Sequence, residues 1–183
     1  MKNPNQRVGI FIDVQNMYHS AKSLYGARVN FSEIIKSALS KRMLIRAIAY
    51  ATRAQIPEEE GFFDALRKAG IEVKLKELQT FVGGVKKGNW DVGMAVDMIK
   101  LSSKLDVIIL VSGDGDFELV LDHVQAAGCR AEVVSFKKST STKLIEAADD
   151  YIDLDKNYSR YTINIPQRSR RARTSGIYYF FIL

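Results

Sequence analysis

Four aspartates stand where a cation site needs carboxylates. Asp13 ends an apolar run, Val8-Gly9-Ile10-Phe11-Ile12. Asp114 and Asp116 follow a second run, Val107–Val111, inside Ser112-Gly113-Asp114-Gly115-Asp116-Phe117. Asp91 opens a helical stretch between them. In an open α/β sheet, ligands bind at the carboxyl ends of strands, where the winding reverses. Carboxylates gathered there repel one another unless a cation neutralises them. Acids in this pattern point to a hard divalent metal, Mg²⁺ or Mn²⁺, and so to phosphate chemistry.

Each motif also has a plainer use. Asp13, at the head of Asp13-Val14-Gln15-Asn16, could be only a helix N-cap. Asn16, one turn on, could hold a metal-bound water or a phosphate. In the 112–117 segment, two glycines let the backbone turn sharply and approach a ligand. Ser112 and the free N–H groups of the next helix could take a phosphate oxygen. The plain alternative is a glycine turn with Asp116 as a cap. A calcium loop is not spelled out, because the twelve-residue ligand pattern is missing. Asp91 and Asp97 are six apart, about 120° around a helix, so they do not share a face. Asp91 is therefore the site candidate and Asp97 the secondary one, with a surface pair to Lys100 or Lys104 as its other use. Lys86 and Lys87 sit on a glycine-rich loop, Phe81–Gly88, and could meet substrate phosphates or simply face water.

Other chemistries lack residues. His19 and His123 are the only histidines and Cys129 the only cysteine. No nucleophile–base triad or zinc set is visible, and neither GxGxxG nor GxxxxGK[ST] occurs after a strand. A phosphatase of the DxDx[TV] kind is disfavoured, since that motif is absent. With one cysteine there is no intramolecular disulfide, which suits a reducing, cytoplasmic location. No basic start followed by an apolar stretch precedes Asp13, so no signal peptide is expected. No apolar run approaches the roughly 20 residues of a membrane span, so no membrane partner is expected.

The elements that must position these acids follow from periodicity. Strands are predicted over 7–13, 44–52, 71–78, 106–111 and 130–136. Helices are predicted over 15–24, 31–41 (introduced by Ser32), 57–69, 90–103, 116–127 and 140–148, with an extended piece near 150–154. In the 90–103 helix, Val92, Ala95, Val96 and Ile99 have core spacing. Strands alternating with helices imply an α/β fold with a parallel sheet covered on both faces. Strand four follows a helix and can lie beside strand one, which brings Asp13 to Asp114 and Asp116.

The chain has 183 residues and a net charge of +6. Residues 1–155 hold 21 basic and 21 acidic side chains, so the body is neutral. Residues 156–183 carry Lys156, Arg160, Arg168, Arg170, Arg171 and Arg173 with no acid, and end in seven apolar residues, Ile177–Leu183. The expected organisation is one domain over 1–155 and a basic extension over 156–183. That arm would touch a phosphate backbone or serve only as a solubilising end.

Taken together, Phe11-Ile12-Asp13-Val14-Gln15-Asn16, Lys87-Gly88-Asn89-Trp90-Asp91-Val92 with Asp97, and Ser112–Phe117 resemble the NYN domain, in the LabA-like (DUF88) branch of the PIN-like nuclease superfamily. The resemblance covers about residues 7–154. Gln15, where many members have an acid or glycine, and the inserted Asn89-Trp90 depart from the pattern. The resemblance implies a PIN-like three-layer sandwich with a central parallel sheet of strand order 3-2-1-4-5. It implies metal-dependent cleavage of RNA at Asp13, Asp91, Asp114 and Asp116, with Asn16 and Ser112 beside them and either Asp116 or Asp91 holding the attacking water. Lys86, Lys87 and the tail would hold the RNA backbone. The rival reading is a catalytically weak or inactive RNA-binding or regulatory module of the same fold. Such domains often dimerise, so a homodimer is open by analogy.

Overall fold

The computed structural model describes residues 2–53, 57–77, 79–80, 86–87 and 89–164. The elements run β1 (Arg7–Asp13), α1 (Val14–Tyr25), β2 (Ala27–Val29), α2 (Phe31–Leu39), β3 (Met43–Arg53), α3 (Pro57–Lys68), β4 (Glu72–Glu77), β5 (Gln79–Thr80), β6 (Lys86–Lys87), α4 (Asp91–Ser102), β7 (Val107–Val111), α5 (Glu118–Ala126), β8 (Arg130–Ser135), α6 (Thr142–Ala147), β9 (Asp150–Asp153), α7 (Tyr158–Tyr161) and β10 (Thr162–Asn164).

The central sheet has six strands in the order β4-β3-β1-β7-β8-β9. All five pairings are parallel. The predicted 3-2-1-4-5 order is there as β4-β3-β1-β7-β8. The extended piece near 150–154 adds β9 as a sixth strand at the edge. Side chains alternate through the sheet as a two-residue period requires. Ile10 and Ile12 join the core under α1, α2 and α3, while Phe11 between them joins the core under α4 and α5. Both faces are covered, which is why the strands read as continuous apolar runs.

Local chemistry sets the helix ends. The Asp13 carboxylate accepts from the Asn16 N–H at 3.0 Å, and Gly26 closes α1 in the left-handed conformation at φ 59°. α2 is capped by Asn30, which accepts from the Glu33 N–H at 3.3 Å, and not by Ser32 as predicted. An Asn side chain two residues earlier reaches the same orphan donors. Its core face is Phe31, Ile34 and Ala38.

α4 differs from expectation in phase. Val92, Val96 and Ile99 are exposed, and Met94, Met98 and Ser102 are buried. Asp91, Met94, Met98 and Ser102 lie on one helical face. The residues that face the sheet are therefore those in line with the first-turn acid. The predicted loop after β4 also contains a short hairpin. Gln79 pairs with Lys87 and Thr80 with Lys86. The loop positions 81–85 and Gly88 lie outside the described residues.

Residues 156–164, assigned to the extension by composition, pack on the body. β10 pairs antiparallel with β2. Tyr158 stacks on Tyr25 with ring centroids 4.3 Å apart, Tyr161 is buried, and Arg160 pairs with Glu33 at 2.9 Å. Residues 165–183, including four of the six basic residues and the apolar end, lie outside the described residues.

One buried ion pair ties a helix end to the sheet. Arg42 donates to both Glu132 oxygens, at 2.9 and 2.8 Å, and to the carbonyls of Ala38 and Leu39 that end α2. Both side chains are fully buried. Removing Arg42 takes from the buried Glu132 its two-pronged partner, leaving it the half-exposed Arg130 at 3.1 Å and Lys2 at 3.9 Å, and strips the Ala38 and Leu39 carbonyls of their side-chain donor. Arg42→Met should destabilise the fold by about 3–5 kcal/mol, read by urea unfolding. Replacing Arg42 and Glu132 together with apolar residues of similar volume should recover most of the loss.

Candidate metal centre

β1 and β7 lie side by side, with Ile12 opposite Val111. The chain leaves both strands at the same edge of the sheet, so Asp13 meets the 112–117 turn. Asp13 is held by both oxygens. One accepts from the Asn16 N–H at 3.0 Å, and the other accepts from the Ser112 hydroxyl at 3.2 Å. The Ser112 hydroxyl in turn accepts from the Asp114 N–H at 3.2 Å. The Asn16 side-chain oxygen accepts from the Gly113 N–H at 2.9 Å. Asn16 and Ser112, expected beside the substrate, thus bind the chain itself and lock the end of β1 to the end of β7.

Asp91 arrives from α4, and Trp90 sets its place. The indole N–H donates to the Ala51 carbonyl at the end of β3, at 2.9 Å. The ring meets Tyr50 edge-on, with centroids 5.5 Å apart. Gly93 leaves room for it, since a Cβ there would lie 2.7 Å from the Trp90 ring. The Asn89 amide donates to Asp91. In the sequence Trp90, the only tryptophan, shows only as part of an insertion, although it immediately precedes a candidate acid.

Asp13, Asp91 and Asp114 each bring one carboxylate oxygen to within 4.8 Å of the others. Three hard oxygen donors at that spacing fit a Mg²⁺- or Mn²⁺-sized ion. Asp116 is exposed outside this trio, and its N–H donates to Asp114 at 3.1 Å. Asp97 is elsewhere. It accepts hydrogen bonds from the Tyr50 hydroxyl at 2.7 Å and from Lys74, and not from the expected Lys100 or Lys104. Burial pushes its carboxyl up, but the bonds from Lys74 and Tyr50 outweigh that and hold it below the ordinary range. The side chains of Lys86 and Lys87 lie outside the described residues.

Two of the three carboxylates, Asp13 and Asp91, are raised above the ordinary range. Burial pushes the Asp13 carboxyl up to about 6, with the charges of Asp91 and Asp114 adding to it and the Asn16 and Ser112 bonds opposing it. Asp91 is also raised, first by burial and then by Asp114 and Asp116.

The glycines of the turn have a different reason from the predicted one. Neither Gly113 nor Gly115 has positive φ. A Cβ on Gly113 would lie 2.9 Å from the Ser139 carbonyl, and one on Gly115 would lie 2.8 Å from the Ser141 hydroxyl. The 139–141 segment rests directly on the turn, and the Ser141 N–H donates to the Gly113 carbonyl at 3.0 Å.

A family model of the NYN domain matches residues 7–155. The chain belongs to the NYN domain family. It is 30% identical over 157 residues to the Low amplitude and bright protein LabA of Synechococcus elongatus, covering 81% of this chain and 84% of that protein. Among solved structures, a protein of unknown function from Vibrio parahaemolyticus superposes with a TM-score of 0.80 at 30% identity, covering 89% of this chain and 99% of the other. The matched span of the NYN domain contains every acid of the trio and ends just after β9. Among the described residues, no helix of this domain is long and apolar enough to cross a membrane.

The raised Asp13 carboxyl has a defined sign in stability. Its folded pKa of about 6 exceeds the unfolded value near 3.9. Its contribution is complete below the unfolded value and is lost as pH rises through about 6. In EDTA the melting temperature should fall between pH 5 and pH 7, and Mg²⁺ should reverse the fall at pH 7.5 but not at pH 5, where protons compete. Asp13→Asn should raise the metal-free melting temperature at pH 7.5 by roughly 2–4 °C, the shift that about 1 kcal/mol gives at this size. It should also remove the Mg²⁺ response. Differential scanning fluorimetry measures all four effects.

Proposed function

We propose that this NYN domain is a metal-dependent ribonuclease that hydrolyses RNA phosphodiester bonds. One observation carries the reading: three carboxylates from β1, the β7 turn and α4 converge within 4.8 Å, with the Asp13 carboxyl raised by burial and by its two acidic neighbours. A purely structural domain has no need of such an arrangement. Membership of the NYN family supports nuclease chemistry.

Asp13, Asp91 and Asp114 would hold Mg²⁺ or Mn²⁺. A bound ion would supply a water of lowered pKa and positive charge beside the scissile phosphate. The chain's own groups do the rest. Ser112 and Asn16 hold Asp13 and the Gly113 backbone in register, so that the carboxylates stay aimed without reorganising. Asp116, exposed next to Asp114 in the same turn, would accept a hydrogen bond from the attacking water, with Asp91 as the other candidate. Lys76 lies over the Trp90 ring, 5.8 Å from its centroid, and bonds the Asn89 carbonyl. It offers a cation at the rim of the site. Lys86, Lys87 and the arginines beyond residue 165 would hold the RNA backbone. The substrate is RNA and the location cytoplasmic on this reading.

The deciding measurement is cleavage of end-labelled single-stranded and hairpin RNA in Mn²⁺, Mg²⁺ or EDTA, with wild type beside Asp114→Asn. Wild type should cut only with metal, and the variant should lose activity by on the order of 10²-fold or more. Equal cutting by both proteins would remove the site assignment. RNA bound by wild type but never cut would instead make the domain a regulatory RNA-binding module. Deleting residues 165–183 should lower the salt dependence of RNA binding, by roughly 0.7 in log–log slope for each phosphate the arm neutralises. A titration across salt reads that slope directly.

A further inference from the structure

A cavity of about 260 Å³ lies beside the acid trio on the other side of the β1 and β3 ends. Its walls come from Val14 and Tyr18 of α1, Phe31 of α2, Phe62 of α3 and Ile163 of β10, and its inner end is Ala51 and Thr52. The cavity and the trio share their framework. Val14 follows Asp13 in the chain. Ala51 accepts the Trp90 indole N–H that fixes the start of Asp91's helix. The surface is mainly apolar and partly aromatic, with Phe31 and Phe62 tilted at 51° and 6.1 Å apart.

One wall residue is out of keeping with an apolar space. Arg28 lines the cavity, and its Nε is buried without a hydrogen-bond partner among the described residues. The guanidinium carries further N–H groups, and a cation in a mainly apolar wall favours a ligand that brings a hydrogen-bond acceptor. A flat aromatic ligand carrying ring nitrogens or carbonyl oxygens meets both requirements: it stacks on aromatic side chains and accepts from Arg28. Nucleobases have that chemistry, and stacking on aromatic residues is how single strands are commonly held.

We propose that this cavity is a nucleobase subsite, receiving a base that flanks the bond presented to Asp13, Asp91 and Asp114. The inference rests on the ribonuclease reading and adds to it a strand path: phosphate at the acids, base turned into the space between α1, α2 and α3. It places Arg28, Phe31 and Phe62 in substrate binding, where no motif pointed.

Gly61 allows a clean test. It lines the cavity, sits inside α3, and a Cβ there would meet nothing within 4 Å. Gly61→Leu should therefore fill the cavity and leave the fold intact, since glycine is the weaker helix former. Arg28→Gln is the second variant. Both are compared with the wild-type chain on short single-stranded RNAs carrying 2-aminopurine at successive positions. Fluorescence, affinity and cleavage are recorded on the same samples. The expected result is one position whose fluorescence changes on binding to wild type but not to Gly61→Leu, with affinity falling about tenfold. Arg28→Gln should weaken binding of the same position.

Equal binding and cutting by wild type and Gly61→Leu, with no reporting position, overturns the subsite and leaves the nuclease reading standing. No binding and no cutting by any of the proteins overturns both. A fluorescence response that emerges only after deletion of residues 165–183 would assign the cavity in the full chain to its own apolar end, Ile177–Leu183, and overturns the proposal.

Discussion

Three carboxylates crowded at one edge of a parallel sheet are the constraint around which this domain is arranged. Burial disfavours the charged form of Asp13 first, and the neighbouring charges of Asp91 and Asp114 add to that cost. The chain resists that with short, directed bonds. Asp13 caps α1, Ser112 bridges Asp13 to the Asp114 backbone, and Asn16 bridges α1 to Gly113. Two of these bonds, Ser112 to Asp13 and Gly113 to Asn16, join segments nearly a hundred residues apart. The charge problem is held in place by the fold, which is the state a cation would relieve.

α4 shows how far the constraint reaches. Its amphipathic pattern offers two apolar stripes, Val92-Ala95-Val96-Ile99 and Met94-Met98. The second is chosen because Asp91 must face the acids and Trp90 is bound to Ala51. The first stripe, left outward, keeps Val92 at 77% exposure. The Trp90 bond and the glycine beneath its ring decide between the two stripes. Far from the site, the fold relies on ordinary means: strands buried on both faces, and the Arg42–Glu132 pair fastening the end of α2 to β8.

Much of this is legible in the residues. Two apolar runs, each ending in an acid, place Asp13 and Asp114 at neighbouring strand ends, because strand-helix alternation admits few topologies. Other details depend on contacts that local spacing does not contain. Ser32 and Asn30 are both good caps, and only the backbone direction into α2 selects Asn30. Asn16 and Ser112 have the right atoms for substrate, but their partners are 97 to 99 residues away and invisible to local spacing. Gly113 and Gly115 look like turn residues; their reason is the approach of Ser139 and Ser141, which no window around residue 113 contains.

The sequence by itself determined the fold class, the neutral body with its basic end, and the acids that could meet. Those depend on periodicity, charge and strand-end position, which are properties of short segments. Tertiary structure decided which of the acids do meet. It gathered Asp13, Asp91 and Asp114, turned Asp97 to Lys74 and Tyr50, and left Asp116 at the rim. It also made the aromatic cavity, whose walls come from segments scattered between Val14 and Ile163. Such choices rest on helix phase and on contacts between distant segments, where differences of an ångström decide whether a carboxylate joins a site or a salt bridge.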